Sequence, residues 1–282
     1  MKTDSSSPNQ ITDYLLTRAD YNLSQQSLNL KQSQVQDEMD FLGGIGRSFK
    51  IMSEYQVEDP FEPESPMVVN IGCLTGTAYM TGLRTYFTAY SPLKRTIQGA
   101  PMASWSAMSG SFGRKYRSTG LDDLVLIGRA ARPSILVLRQ GSDGPEISLD
   151  DAPDSMIGAV TPEKFKWLNE NYNQPEKRKY HAHFSVIGPA GENWDKVWYA
   201  CIVGSTQEQL MSGEDKFRFA GRLGMGSVLG SKNILAIVAY AEKDDYPKGD
   251  ERLKPINQEI GRGDQSKGCL LYTSPSPRDA LE

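Results

Sequence analysis

The chain has 282 residues, with 31 basic and 35 acidic side chains, a net charge of −4 and 38% hydrophobic residues. That length suits one large domain or two small ones, and the balanced charge implies no broad basic surface, which argues against nucleic acid as a partner. The longest apolar run is about eight residues against roughly 20 for a membrane helix, and no basic-then-apolar leader opens the chain, so neither a membrane span nor secretion is expected.

In chain order, residues 1–10 are polar, and residues 1–18 are expected to be flexible. Leu15–Leu30 carries strand-like pieces around a turn at Asn22–Gln26, and Gln34–Met52 reads as helix interrupted by Gly43, Gly44 and Gly46. Asp59–Pro66 is an acidic, proline-rich loop. Met67–Ile71 reads as a strand, and Thr85–Tyr90 as another that Ser91-Pro92 ends. Ala103–Thr119 is rich in small residues and then basic. Leu121–Gly128 and Pro133–Arg139 are strand-length apolar runs, Ser155–Trp167 is helical or loop material, and His183–Gly188 and Val197–Val203 read as strands. Beyond Asp244 the chain is polar without strong periodicity.

Phe217–Ala241 stands out. Arg218 and Arg222 bracket Phe219, Ala220 and Gly221; Gly224, Gly226 and Gly230 follow; Ile234–Ala241 then reads as one buried strand. Glycines admit close backbone approach and arginines favour phosphate, so the stretch reads either as a cradle for an anionic cofactor on a core strand or as a plain glycine-rich turn before that strand. Neither a Walker A loop nor a dinucleotide fingerprint fits, because the order is Gly230-Ser231-Lys232 and the third glycine falls one residue late. Residues 109–130 and 221–241 share a pattern of glycine-rich turn, short helix-length piece and core strand, which fits either a weak internal duplication, with a two-fold ligand site, or chance similarity.

Other residues carry simpler readings. Cys73, Cys201 and Cys269 are far apart with no C-x-x-C pair, so no zinc or compact iron–sulfur site is expected and the compartment is expected to be reducing. Cys73 and Cys201 are expected to be buried small hydrophobes on strands. His181 and His183 lack a third ligand nearby and are expected to be structural. Asp122 and Asp123 point to opposite faces of a strand, cannot act together and are expected to be solvated or capping. Glu192 is expected to brace a turn.

Ordered motifs carry a resemblance. Leu74-Thr75-Gly76-Thr77, Thr81-Gly82-x-Arg84 and Ser91-Pro92-Leu93 come first, then Ser109-Gly110-x-Phe112-Gly113, Gly120-x-Asp122 and LVLIGRA. Ile187-Gly188-Pro189-Ala190-Gly191-Glu192-Asn193, Arg218-Phe219-Ala220-Gly221-Arg222 and Gly226-x-Val228-x-Gly230-Ser231-Lys232-Asn233 complete the set. The series resembles the N-terminal domain of the aldehyde ferredoxin oxidoreductase family over roughly residues 20–245.

The resemblance implies an α+β domain, β-rich, of two β-sheets with a rough internal two-fold, forming the base for a bis-molybdopterin cofactor that holds tungsten or molybdenum, with Mg2+ between the pterin phosphates. It implies cofactor contacts from Arg84, from Ala107, Ser109 and Gly110, and from Arg218, Phe219, Ala220, Gly221 and Arg222. The family has Asn-Ser-Gly-Gly where this chain has Ala107-Met108-Ser109-Gly110, and a small residue where Phe219 stands; backbone contacts survive both changes, but asparagine side-chain bonds do not.

On this reading the domain occupies residues 19–245, residues 246–268 begin a truncated following domain, and Cys269–Glu282 is a non-native tail. The implied enzyme is cytoplasmic and oxidises aldehydes to carboxylic acids, with ferredoxin or another electron-transfer protein as acceptor. Its catalytic residues and [4Fe–4S] cysteines would lie beyond this fragment, which alone would be inactive, and a homodimer is compatible with it. The alternative is a non-catalytic pterin-binding or scaffold module acting with a partner subunit.

Overall fold

A computed structural model describes residues 15–77, 82–243 and 253–262. Among the described residues, twelve strands form two six-stranded sheets. The first holds β1 (Leu15–Asn22), β2 (Ser27–Gln34), β3 (Met67–Ile71), β4 (Thr85–Arg95), β5 (Pro101–Met108) and β6 (Asp123–Ile127), in the order β2-β1-β6-β3-β4-β5. The second holds β7 (Ser134–Gln140), β8 (Pro145–Asp151), β9 (Ala182–Ile187), β10 (Ile202–Gly204), β11 (Arg218–Ala220) and β12 (Ile234–Tyr240), in the order β11-β10-β9-β12-β7-β8.

The second sheet repeats the first. In each, the opening strand pairs antiparallel with the next and parallel with the last of its half, and all other pairs are antiparallel. The registers also correspond. Ile71 faces Thr85, which faces Met108; Ile187 faces Ile202, which faces Ala220. This equates Ile71-Gly72 with Ile187-Gly188 and bears out the duplication.

Local chemistry explains the elements. The turn between β1 and β2 is closed by the Asn22 side chain, which accepts from the N–H groups of Ser24 and Gln25 at 3.0 and 3.1 Å. β3 and β12 are Val-, Ile- and Ala-rich and buried along both faces, as central strands require. The main core runs through both sheets, from Met67, Val69 and Phe87 to Phe184, Ile202 and Val238. Each fully buried large apolar side chain contributes about 1.5–3 kcal/mol relative to exposure.

Helices cover and tie the sheets. α1 (Gly44–Met52) sets Ile51 and Met52 against Val68 and Val125. α3 (Thr161–Tyr172) buries Phe165 and Leu168 beside β9. α2 (Ser111–Arg117), from the first half, packs on β9 and β12, while α6 (Met225–Ser231), from the second, packs on β4, so each half lends a helix to the other. α4 (Pro189–Glu192), α5 (Gln207–Ser212) and α7 (Leu253–Arg262) are further helices. Among the described residues no helix is long and apolar enough to cross a membrane.

Several expectations are corrected. β1 begins at Leu15, inside the segment expected to be flexible, and buries Leu16. β4 runs past Pro92 to Arg95, because the irregularity between Ser91 and Arg95 falls where proline has no N–H to give. Of Val197–Val203 only Ile202 and Val203 are in a strand, β10. β8 was not anticipated. Gly224–Gly230 is no ligand-facing turn: it caps and builds α6, and a Cβ would lie 2.3 Å from the Cys201 carbonyl at Gly226 and 1.9 Å from the Gly191 carbonyl at Gly230. Those glycines serve packing.

Asp122 and Asp123 are buried, not solvated. Asp122 accepts from Thr17 N–H at 2.9 Å, and Asp123 from Arg47 Nε and, at 3.1 Å, Asn70. Cys73 and Cys201 are half-buried and outside strands. Residues 1–14 and the tail expected to be non-native, 269–282, lie outside the described residues, as does most of 246–268 apart from α7.

Candidate functional site

β5 and β11 occupy equivalent places in the two halves, each at the edge of its sheet, and they lie side by side. Arg222 N–H donates to Ser106 Oγ at 3.1 Å across this seam. Beyond β5 the chain turns at Gly110, whose φ of +110° only glycine takes readily. Arg218 passes directly over it: a Cβ on Gly110 would lie 3.1 Å from Arg218 Cγ. Thr85 pairs with Met108, so Arg84, one residue before that pair, stands across from Ser109, one residue after it.

Of the residues expected to contact a cofactor, Ala107, Ser109, Gly110 and Arg218–Arg222 lie along this seam, and Arg84 lies beside it, one residue before the Thr85–Met108 pair. Their roles differ. Arg84, Arg218, Phe219, Gly221 and Arg222 are exposed. Ala107, Ser109 and Gly110 are half-buried, and the Ala220 side chain lies in the core, leaving only its backbone near the seam.

The electrostatics are one-sided. Among the described residues, none of the Arg84, Arg218 and Arg222 guanidiniums forms an ion pair. Arg218 makes only a 3.3 Å bond from Nη1 to the neighbouring Phe217 carbonyl. Gly221 leaves open space, its nearest approach for a Cβ being 4.0 Å to Phe219 Cβ. Guanidiniums beside glycine-rich backbone are a donor set suited to a phosphate-bearing anion.

Residues outside this set find partners within the fold. His183 is buried with Nδ1 2.9 Å from Ser205 Oγ, whereas His181 Nδ1 lies 3.1 Å from the Glu242 carbonyl. Glu192 accepts from Gly158 N–H at 2.8 Å and pairs with buried Lys164 on α3, bracing α4 against that helix. Burial lowers the Lys164 pKa, and Glu192 opposes that shift. Among the described residues no three or more His, Cys, Asp or Glu side chains cluster as metal ligands would.

Sequence reasoning missed the support behind Arg84. Arg117, on α2, reaches the turn that leads towards Arg84 and donates to its carbonyls. The signal was the basic segment after Phe112-Gly113, where Arg117 falls on the α2 face that packs against the turn.

The model of the aldehyde ferredoxin oxidoreductase N-terminal domain matches residues 20–241. A tungsten-containing aldehyde ferredoxin oxidoreductase of Pyrococcus abyssi is 31% identical over 200 residues, 71% of this chain and 28% of that protein. The aliphatic sulfonate oxidoreductase, WOR-like subunit, of Pyrococcus furiosus is 28% identical over 210 residues, 71% of this chain and 30% of that protein. A solved structure, the active site complex BamBC of benzoyl coenzyme A reductase, shares the fold with a TM-score of 0.65 at 24% identity, over 81% of this chain and 31% of its own. The chain thus spans less than a third of the length of these relatives. With 222 consecutive residues matched (20 to 241), it belongs to the aldehyde ferredoxin oxidoreductase family, as its N-terminal domain.

Proposed function

We propose that this domain is the cofactor-binding base of a tungsten- or molybdenum-pterin oxidoreductase that converts aldehydes to carboxylic acids. The observation that carries the reading is the seam: among the described residues, three exposed arginines without carboxylate partners stand at or beside it, and Arg218 crosses the bare backbone of Gly110. Arg84 and Arg218 would hold the pterin and phosphate portions, Arg222 would add charge, and Ala107, Ser109, Gly110, Phe219, Ala220 and Gly221 would offer main-chain groups. When bound, such a cofactor supplies two-electron redox chemistry at its metal, whose ligands come from the cofactor itself. The domain's own work is to bind, orient and neutralise charge.

The same reading includes a Mg2+ ion between the phosphates and a [4Fe–4S] cluster and catalytic side chains outside this domain. It also includes ferredoxin or another electron-transfer protein as acceptor and a cytoplasmic location, and it is compatible with a homodimer. Following its domain boundaries, α7 would open the next domain.

The test is cofactor retention in the full-length enzyme. Each charge-assisted contact is worth roughly 1.5–3 kcal/mol, so Arg84→Ala or Arg218→Ala should weaken retention about ten- to a hundredfold. Tungsten and pterin per chain are measured after gel filtration, beside the exposed control Arg139→Ala. Wild-type content in both folded variants rules out this site.

A further inference from the structure

We infer that Arg117 is a positioning residue for Arg84, acting through the turn at residues 72–75 and the Thr75 hydroxyl. The inference rests on the cofactor role proposed for Arg84.

Arg117 ends α2 and is 5% exposed. Its Nη2 donates to the carbonyls of Gly72 at 2.9 Å and Cys73 at 3.1 Å, and its Nε donates to that of Thr75. Nη1 lies 3.8 Å from the Asp122 carboxylate, which is itself fixed by Thr17 N–H. One planar guanidinium thus gathers three carbonyls of a single tight turn, a task that its fork geometry suits and an ammonium does not.

The turn passes this restraint on. Thr75 N–H donates to the Gly72 carbonyl at 2.9 Å, and Thr75 Oγ1 accepts from Gly72 N–H at 3.2 Å. The same hydroxyl donates to the Arg84 carbonyl at 3.0 Å, and Gly76 N–H donates to Gly82 at 2.8 Å. Arg84 is therefore held by the Thr75 hydroxyl from one side and by the start of β4 from the other. α2 fits the turn closely: a Cβ on Gly113 would lie 2.6 Å from Thr85 Oγ1 and 3.1 Å from Thr75 Cγ2. Arg117 itself is too deeply placed to touch a ligand at the seam, so its effect on binding must run through the backbone that carries Arg84.

Three variants of the full-length enzyme test this: Arg117→Lys keeps the charge but loses the fork, Thr75→Val removes the hydroxyl and with it the bonds to the Arg84 carbonyl and from the Gly72 N–H, and Thr75→Ser keeps both. Retention of tungsten and pterin should fall about tenfold in Arg117→Lys and in Thr75→Val, and should recover in Thr75→Ser. Combined with Arg84→Ala, neither should add a further loss, because each acts through Arg84. Amide exchange of residues 72–76 in the cofactor-free protein should accelerate in Arg117→Lys while the core strands keep their protection. Full additivity with Arg84→Ala, wild-type retention in Thr75→Val, or failure of Thr75→Ser to rescue overturns the positioning role. Should Arg84→Ala itself retain cofactor, the site assignment falls and this inference with it; should Arg84→Ala lose cofactor and Arg117→Lys not, this inference alone falls.

Discussion

Gly110 and Arg218 belong to different halves of the duplicated fold, yet the position of a Cβ on Gly110 is 3.1 Å from Cγ of Arg218. The bare backbone at Gly110 sets how closely the arginine can cross the seam, so the geometry of one half depends on a glycine of the other.

Gly110→Ala should therefore act twice. The φ of +110° strains any side chain, at about 1–3 kcal/mol, and the new methyl displaces Arg218. Denaturant unfolding should show that loss, and cofactor retention in the full-length enzyme should drop along with it. An alanine variant as stable as wild type would refute the strain.

The buried polar cluster of the first half should be dispensable as a unit but not in pieces. Asp123 takes hydrogen bonds from Arg47 and Asn70, and burial raises its pKa against the pull of Arg47. The registers equate Asn70 with Val186 and Asp123 with Ala236, so the second half fills the same positions with apolar residues. Asp123→Ala alone should cost about 3–5 kcal/mol by stranding its partners. Ser48 Oγ donates to Asn70 at 2.9 Å and is fully buried, so Arg47→Met/Ser48→Ala/Asn70→Val/Asp123→Ala, which removes the cluster together, should recover most of that in urea denaturation; an equal or larger loss would mean that the cluster is needed for stability.

Lys232 predicts a pH dependence. It is buried, donates to the carbonyls of Pro63 and Gly128 at 3.2 and 3.3 Å, and has its pKa lowered to about 7 by desolvation and then by Arg129, with Glu64 and Glu62 opposing. Between that value and the lysine's ordinary pKa of about 10.4, the unfolded chain binds a proton that the folded chain does not. This group's contribution to stability therefore rises with pH across that window, with a slope of up to about 1.4 kcal/mol per pH unit. Unfolding of wild type and Lys232→Met from pH 6 to 9 should show the difference between them shifting towards wild type above pH 7. A pH-independent difference would place the ammonium in solvent.

Neither half should fold by itself. α2 packs on β9 and β12, and α6 on β4, so residues 15–132 and 133–243 each lack a helix that covers their sheet. Each piece alone should show non-cooperative unfolding and poorly dispersed amide resonances, and mixing should restore a cooperative transition. Independent folding of either piece would show that the exchanged helices are accessory.

The sequence was most informative where burial is continuous. Met67–Ile71, Asp123–Ile127 and Ile234–Tyr240 are strands because their apolar runs leave few alternatives. β8 escaped notice because Glu146, Ser148 and Asp150 alternate with only half-buried Ile147 and Leu149 at a sheet edge. α6 is poor in helix formers, and its glycines answer to the carbonyls of Gly191 and Cys201, a demand that no local pattern expresses. The same limit hid the Arg47–Asp123 pair, whose members are 76 residues apart. The candidate site was legible through its ordered motifs, while the turn behind Arg84 depends on contacts between separate elements.

The matching registers also equate Arg84 with Cys201 and Ser106 with Arg218. Two identical subunits would show a ligand the same side chain on both sides of their axis. A chain that carries both copies is free of that constraint, and here each of these arginines has an uncharged counterpart. A ligand built of two like halves would meet a different neighbour at each end, and the domain could seat it in one orientation rather than two.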